Sequence, residues 1–223
     1  MRDAVLARTA RLSPAAQQAI EAAAVIGSRA EMWLLETVFP NPAALDECLG
    51  AGMLQAEGTS LAFRHELARQ AILETVLPQQ RLHLHRCVLE ALRAQSVTAH
   101  DYARLAHHAQ EAGDPEAVLH YAPLSARRAS GFRAHREAAA QYARALGFAE
   151  QLPPSERALL LEGYAQECYI KGQLEEAARA RQEALTIWQR AGHREKEGEN
   201  LVQLGRLYLV MGQNARAEQA SQG

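Results

Sequence analysis

The stretch LEGYAQECYIKGQLEEA, residues 161–177, has a counterpart forty residues further on, LVQLGRLYLVMGQNARA, residues 201–217. Aligning the two puts Leu161 on Leu201, Gly172-Gln173 on Gly212-Gln213 and Ala177 on Ala217. A glycine lets one helix stop and the chain turn within two residues, and a small alanine lets the next helix pack close to its neighbour. The spacing predicts an internal repeat of helical hairpins. From Asp101 onward the whole chain reads this way, as helices broken at Gly113-Asp114-Pro115, Ser130-Gly131, Pro153-Pro154-Ser155, Gly172, Gly192 and Gly212. Tyr164, Tyr169, Trp188, Leu204 and Tyr208 fall at or beside equivalent repeat positions, where they are expected to fill the space between helices or, for a fraction, to line a groove. The last predicted helix, Gln213 to Gln222, is about half the length of Gln173 to Arg190, with no polar capping helix after it. The chain is therefore expected to be a piece of something longer.

Towards the N-terminus the pattern changes. Ser13-Pro14 supplies a cap followed by a proline at the first helical position, opening a helix that ends at Gly27 with Ala16, Ile20, Ala23 and Ala24 on one stripe. Short helices follow over Glu31–Val38 and about Ala43–Leu49. Met53–Ala56 and Leu61–Arg64 then read as two strands joined through Glu57-Gly58-Thr59-Ser60, with Leu61 and Phe63 alternating with Ala62 and Arg64 as in a half-buried strand. This hairpin is the only β signal. Helices resume over His65–Leu77 and about Pro78–Gln95. The expected fold is mainly α: a winged helix (three helices plus one β-hairpin) followed by an α-α superhelix of tetratricopeptide-like repeats. The expected division is 1–12 as the end of a preceding region, 13–95 as the winged-helix domain with its following helices, and 96–223 as repeats truncated at the C-terminus.

Composition excludes several classes. With 48% hydrophobic and 22% charged residues the 223-residue chain is of ordinary globular type. The longest run without a charged residue, Ala117–Ala126, is far short of the roughly 20 apolar residues of a membrane helix. Met1–Arg11 lacks the apolar core of a secretory signal, so a cytoplasmic location is the expectation. Cys48, Cys87 and Cys168 are scattered and form no CxxC pair. A net charge of −2 supplies no field for nucleic acid. The only lysines, Lys171 and Lys196, are followed by Gly172-Gln173 and Glu197-Gly198, so neither is a P-loop lysine. The 22 arginines beside two lysines are in keeping with a GC-rich bacterial genome.

Two stretches carry a family resemblance. Ala4–Arg8 with Leu12–Ala16 and Ala22–Gly27 resembles the segment that follows the nucleotide-binding domain in large ATP-binding regulators of the LuxR family and in related bacterial STAND ATPases. Phe63-Arg64-His65-Glu66-Leu67, then Arg69, Ala71-Ile72 and Arg81–Leu92, resembles a second signature of those proteins. The resemblance implies an ATPase domain upstream, this winged helix as a relay, and repeats that sense an inducer ligand or partner protein. It implies no cofactor in this chain itself, with ADP or ATP held by the full-length protein, which would hydrolyse ATP. It also implies that His65 takes the place of a histidine contacting the β-phosphate of ADP, with Arg64 as a lesser candidate and Glu66 where the relatives' motif has Asp.

The remaining constellations read blandly. Asp46 and Glu47 on the third helix and Glu57 on the wing make its DNA-facing surfaces acidic, so no direct DNA contact is expected, and no membrane contact. Arg127, Arg128, Arg133 and Arg136 read as a solvated hinge. His83 with His85 and His107 with His108 lack metal-ligand spacing, and no metal site is expected. No nucleophile elbow or metalloprotease motif is present, so no catalytic residue is assigned. Assembly into an oligomer is compatible with an activated full-length protein. The competing readings are a free-standing tetratricopeptide adaptor and a DNA-binding winged-helix regulator.

Overall fold

A computed structural model describes residues 2–222; Met1 and Gly223, the ends of the expected domain ranges, lie outside the described residues, as does the side chain of Gln222. The chain forms two compact units, residues up to Val97 with Glu111–Asp114, and Thr98–Gln110 with Pro115 onward.

The first unit contains α1 (Arg2–Thr9), α2 (Pro14–Ile26), β1 (Arg29–Glu31), α3 (Met32–Val38), α4 (Pro42–Gly50), β2 (Leu54–Glu57), β3 (Ser60–Phe63), α5 (Glu66–Leu73) and α6 (Pro78–Ala94). α2 lies at its centre, packed against α3, α4, α5, α6 and β1. Its apolar stripe is accordingly wider than the sequence suggests: Ala19, Ala22, Val25 and Ile26 are buried besides Ala16, Ile20, Ala23 and Ala24. Small alanines allow several neighbours to approach one helix closely. The start of α2 is fixed twice. Ser13 Oγ accepts from Ala16 N at 3.2 Å, and Ser13 N and Oγ donate to the two carboxylate oxygens of Glu47 at 2.7 and 2.6 Å, tying the cap to α4.

The sheet corrects the sequence reading. It has three strands, not two, in the order β1-β3-β2, both pairs antiparallel. β1 is three residues long, too short to show a period of its own, and exists because Ala30 pairs with Leu61. That pairing makes β3 the central strand, so Ser60, Leu61, Ala62 and Phe63 are all buried rather than alternating. Arg64 lies beyond the strand's end and is exposed. The hairpin is tight: Glu57 pairs with Ser60, leaving Gly58-Thr59 as the turn, with Gly58 at φ +61°. α5 ends at Leu73, four residues sooner than expected, before a turn at Glu74-Thr75.

The second unit contains nearly all of α7 (Tyr102–Glu111), then α8 (Pro115–Gly131), α9 (His135–Leu146), α10 (Pro154–Ile170), α11 (Leu174–Ala191), α12 (Arg194–Val210) and α13 (Asn214–Gln222). From α9 onward each helix packs on the one before it. The hairpins α10–α11 and α12–α13 turn at Gly172 (φ +75°) and Gly212 (φ +71°), and Ala177 and Ala217, one turn into the second helix of each, are buried. These are two of the three features aligned in the sequence. The α8–α9 turn differs: α8 runs through Ser130-Gly131, and the left-handed residue is Arg133 (φ +58°), with Ala134 N donating to Ala129 O. Among the described residues no helix is long and apolar enough to cross a membrane.

Candidate functional site

His65 is the residue between β3 and α5, with extended backbone (φ −143°, ψ 134°). Its carbonyl accepts from Ala68 N at 2.9 Å and opens the helix, but its side chain makes no capping hydrogen bond. The imidazole is exposed and has no hydrogen-bond partner among the described residues. The histidine therefore does not cap its own helix through its ring. Beside it in the chain, Arg64 converges with Arg8 of α1 over Gly52. A side-chain carbon placed on Gly52 would lie 3.3 Å from Arg8 Nη2 and 3.9 Å from Arg64 Nη2. Arg8 Nη2 donates to Ala51 O at 2.7 Å, and neither guanidinium has a carboxylate partner among the described residues. Gly52, at φ +65°, is favoured by its backbone, whereas a side chain there would ask only a small shift of the exposed Arg8 guanidinium.

Glu66 is occupied elsewhere. Its carboxylate accepts from Arg69 Nε at 3.0 and 2.9 Å and from Nη2 at 2.5 Å, while Arg69 Nη1 donates to Ala24 O at 2.9 Å. The hydrogen bonds from Arg69 hold the Glu66 carboxyl below its ordinary pKa. The pair clips α5 to the end of α2 and commits the Glu66 carboxylate to Arg69. The acidic surfaces are partly neutralised too: Glu57 pairs with Arg29 at 2.8 Å and Glu47 is held by Ser13, leaving Asp46 exposed on α4. Of the arginines around residue 130, Arg128 binds His100 Nδ1 at 2.6 Å and lies 5.3 Å from the Phe132 ring centroid, a local packing role.

In the repeats, three helices meet around one buried polar network. Glu162 of α10 accepts at Oε1 from Trp188 Nε1 of α11 (2.8 Å) and from Asn200 Nδ2 of α12 (2.7 Å), and at Oε2 from Lys196 Nζ (3.4 Å). Asn200 Oδ1 in turn accepts from Arg181 Nη1 of α11 at 3.2 Å. Arg181 is 9% exposed and Asn200 fully buried. Burial lowers the Arg181 pKa, opposed by the nearby charges of Glu162 and Glu199. Sequence reasoning missed this network. A signal was present: Arg181 stands four residues after Ala177 and three before Ala184, on the face those two alanines bury. Between α10 and α12, a cavity of about 310 Å³ is lined by Gln166, Tyr169, Arg181, Gln203, Arg206 and Leu207. Tyr169, 42% exposed, thus faces this cavity and Tyr208 lines another against α13, whereas Trp188 is buried in the inter-helix core.

No family model matches the chain, and no curated protein does. Among solved structures it is similar to a Signal Transduction ATPase with Numerous Domains (STAND) protein with a tetratricopeptide repeat sensor from Pyrococcus horikoshii, at 12% identity and TM-score 0.44, covering 96% of this chain and 50% of that one. It is also similar to BtubC (BKLC) from P. vanneervenii, at 14% identity and TM-score 0.40, covering 93% of this chain and 88% of that one. The chain spans half the length of the first. Neither likeness assigns a family or an activity to it.

Proposed function

We propose that this chain is the relay-and-sensor portion of a signal-responsive ATPase of the STAND type, resembling regulators of the LuxR family, with the first unit a winged helix and the second a tetratricopeptide-like array. The order helix, strand, helix, helix, hairpin from α2 to β3, with β3 between β1 and β2, supports the winged-helix reading. The observation that carries the relay role is the exposed imidazole of His65, uncommitted at the entrance to α5 and within the Phe63–Leu67 motif. An imidazole N–H beside a helix start suits a phosphate oxygen, and the guanidinium of Arg64, without a carboxylate partner among the described residues, adds positive charge nearby. In this reading His65 contacts the β-phosphate of ADP held by an upstream nucleotide-binding domain, and a ligand or partner on the repeats shifts the closed and open states by its different affinity for each. In this reading the nucleotide chemistry lies in the upstream domain, and no catalytic role is assigned to this chain.

The test uses the full-length protein. His65→Ala is expected to release ADP faster and raise basal activity, while Glu66→Gln, which disturbs only the clip to Arg69, leaves ADP retention within about two-fold of wild type. Unchanged nucleotide occupancy and activity in His65→Ala would overturn the relay role. The adaptor reading gains if the gene upstream encodes no P-loop.

A further inference from the structure

The turn between α8 and α9 is built like those at Gly172 and Gly212, with one exchange. In each, two successive amides close back on the preceding helix at 2.8 to 3.0 Å. Gly172 N and Gln173 N donate to Tyr169 O and Cys168 O, Gly212 N and Gln213 N to Leu209 O and Tyr208 O, and Arg133 N and Ala134 N to Ser130 O and Ala129 O. Arg133 therefore stands where the other two turns have glycine, in left-handed backbone (φ +58°) that an L side chain occupies only at a cost in stability. Glycine would relieve that strain, so a side chain is kept here against the preference of the backbone. Phe132, one residue earlier, takes the place of Lys171 and Met211 and is 74% exposed. Its ring is nonetheless held: Arg128 lies 5.3 Å from the ring centroid and is itself tied to His100 Nδ1 at 2.6 Å. The same turn concentrates positive charge. From Arg127 to Arg136 the chain carries four arginines and no carboxylate, so a net charge of −2 averages over a locally basic turn. Arg127, Arg133 and Arg136 are exposed, and none of the four has a carboxylate partner among the described residues. Glu137, the next acid along the chain, accepts from Gln141 at 2.6 Å.

We infer that the α8–α9 turn binds single-stranded nucleic acid, with Phe132 stacking on a base and Arg127, Arg133 and Arg136 meeting backbone phosphates. A nucleotide unit offers the two features that this turn is shaped to meet, an anion and a flat π-face, and stacking on an aromatic ring suits any base. Arg128 is a positioning residue: it occupies one face of the ring and leaves the other for the base. A duplex keeps its bases stacked on one another and presents no free face to the ring. An acidic peptide would answer the guanidiniums and leave the ring uncovered. A bilayer surface would engage several apolar side chains, whereas Phe132 is the only exposed large hydrophobic residue between Thr98 and Ala158 among the described residues.

The test titrates fluorescein-labelled oligothymidylate and oligouridylate with the intact chain and reads fluorescence anisotropy over a range of salt concentrations. The expected result is saturable binding whose logarithm falls linearly with the logarithm of salt at a slope of about −2, as for three phosphate contacts on a single strand. Binding of either oligonucleotide supports the proposal, and the tighter of the two marks the source as DNA or RNA. Arg133→Gly removes a contact and the backbone strain together. Its affinity is expected to fall about three-fold or more and its salt slope to lose about 0.7, while its thermal midpoint rises by about 2–4 °C. Phe132→Ala is expected to weaken binding about five-fold or more with the slope unchanged. The proposal is overturned by no saturable binding of either oligonucleotide, or by equal or tighter binding of the annealed duplex, of polyglutamate or of phosphatidylserine vesicles. Unaltered affinity in Arg133→Gly or in Phe132→Ala overturns it as well. A failure here leaves the His65 relay standing, because nucleotide retention is read on different residues in the full-length protein.

Discussion

Two groups of basic side chains, one in each unit, are held in opposite ways. In the first unit, Arg8, Arg64 and His65 are exposed and have no carboxylate partner among the described residues, so water solvates them and the fold contributes little to holding them. In the second, Arg181 is buried, and its position depends on a relay of contacts through Asn200 to Glu162 and from there to Trp188 and Lys196. An exposed cation can be removed at almost no cost to folding. A buried one is coupled to every helix that surrounds it, and losing its counter-charge is expensive.

The largest expected effect follows from that contrast. Glu162→Ala removes the acceptor shared by α11 and α12 and is expected to destabilise the repeats by about 3 kcal/mol, whereas Arg64→Ala should change stability by about 0.5 kcal/mol or less. Urea unfolding followed by circular dichroism checks both. Equal effects would mean that the network is no more than a surface ion pair.

Two glycines of the repeats sharpen the comparison from the packing side. A methyl added to Gly163 would meet the Tyr142 ring at 2.6 to 2.9 Å, and Tyr142 is only 8% exposed, so Gly163→Ala is expected to cost about 1–3 kcal/mol. At Gly205 the same methyl would find ordinary contacts at 3.8 Å and beyond, and the position forty residues earlier is Ala165. Gly205→Ala should leave the thermal midpoint unchanged or raise it, because alanine favours a helix interior by about 1 kcal/mol over glycine. A midpoint that falls as far as in Gly163→Ala would refute this packing assignment.

The smallest effect concerns acid. The carboxyls of Glu66, hydrogen-bonded by Arg69, and Glu47, hydrogen-bonded by Ser13, have folded pKa values held below their ordinary 4.5. The stabilisation they contribute is complete above that value and is lost as pH falls through the lower folded values. The first unit should weaken between about pH 5 and about pH 3, and Glu47→Gln with Glu66→Gln should flatten that decline. A double variant with the same acid profile as wild type would locate the sensitivity elsewhere.

How far these features were legible in the sequence depended on whether their cause was local. Gly172 and Gly212 end their helices through left-handed backbone, a property of the residue itself, and Ser13-Pro14 caps α2 with its own side chain, so each was readable in one dimension. The third strand was not, because three residues carry no period and Arg29–Glu31 becomes a strand only by pairing with β3. For the same reason the burial of Ala62 could not be read from alternation: its partner strands lie on both sides. His65 was readable as a motif residue, but only the folded chain showed that its ring caps nothing and that Arg8, fifty-six residues away, converges with its neighbour Arg64.

By itself, then, the sequence determined the helical periods, the hairpin turns and the repeat, since these follow from backbone preferences and spacing along a single chain. Tertiary structure alone decided which charges are paired and which are not. Glu66 was drawn into a clip with Arg69, and Arg181 was enclosed among three helices with a single protein acceptor. Pairing depends on distances between residues far apart in the chain, and burial on how many helices surround a side chain, and neither quantity is written in local order.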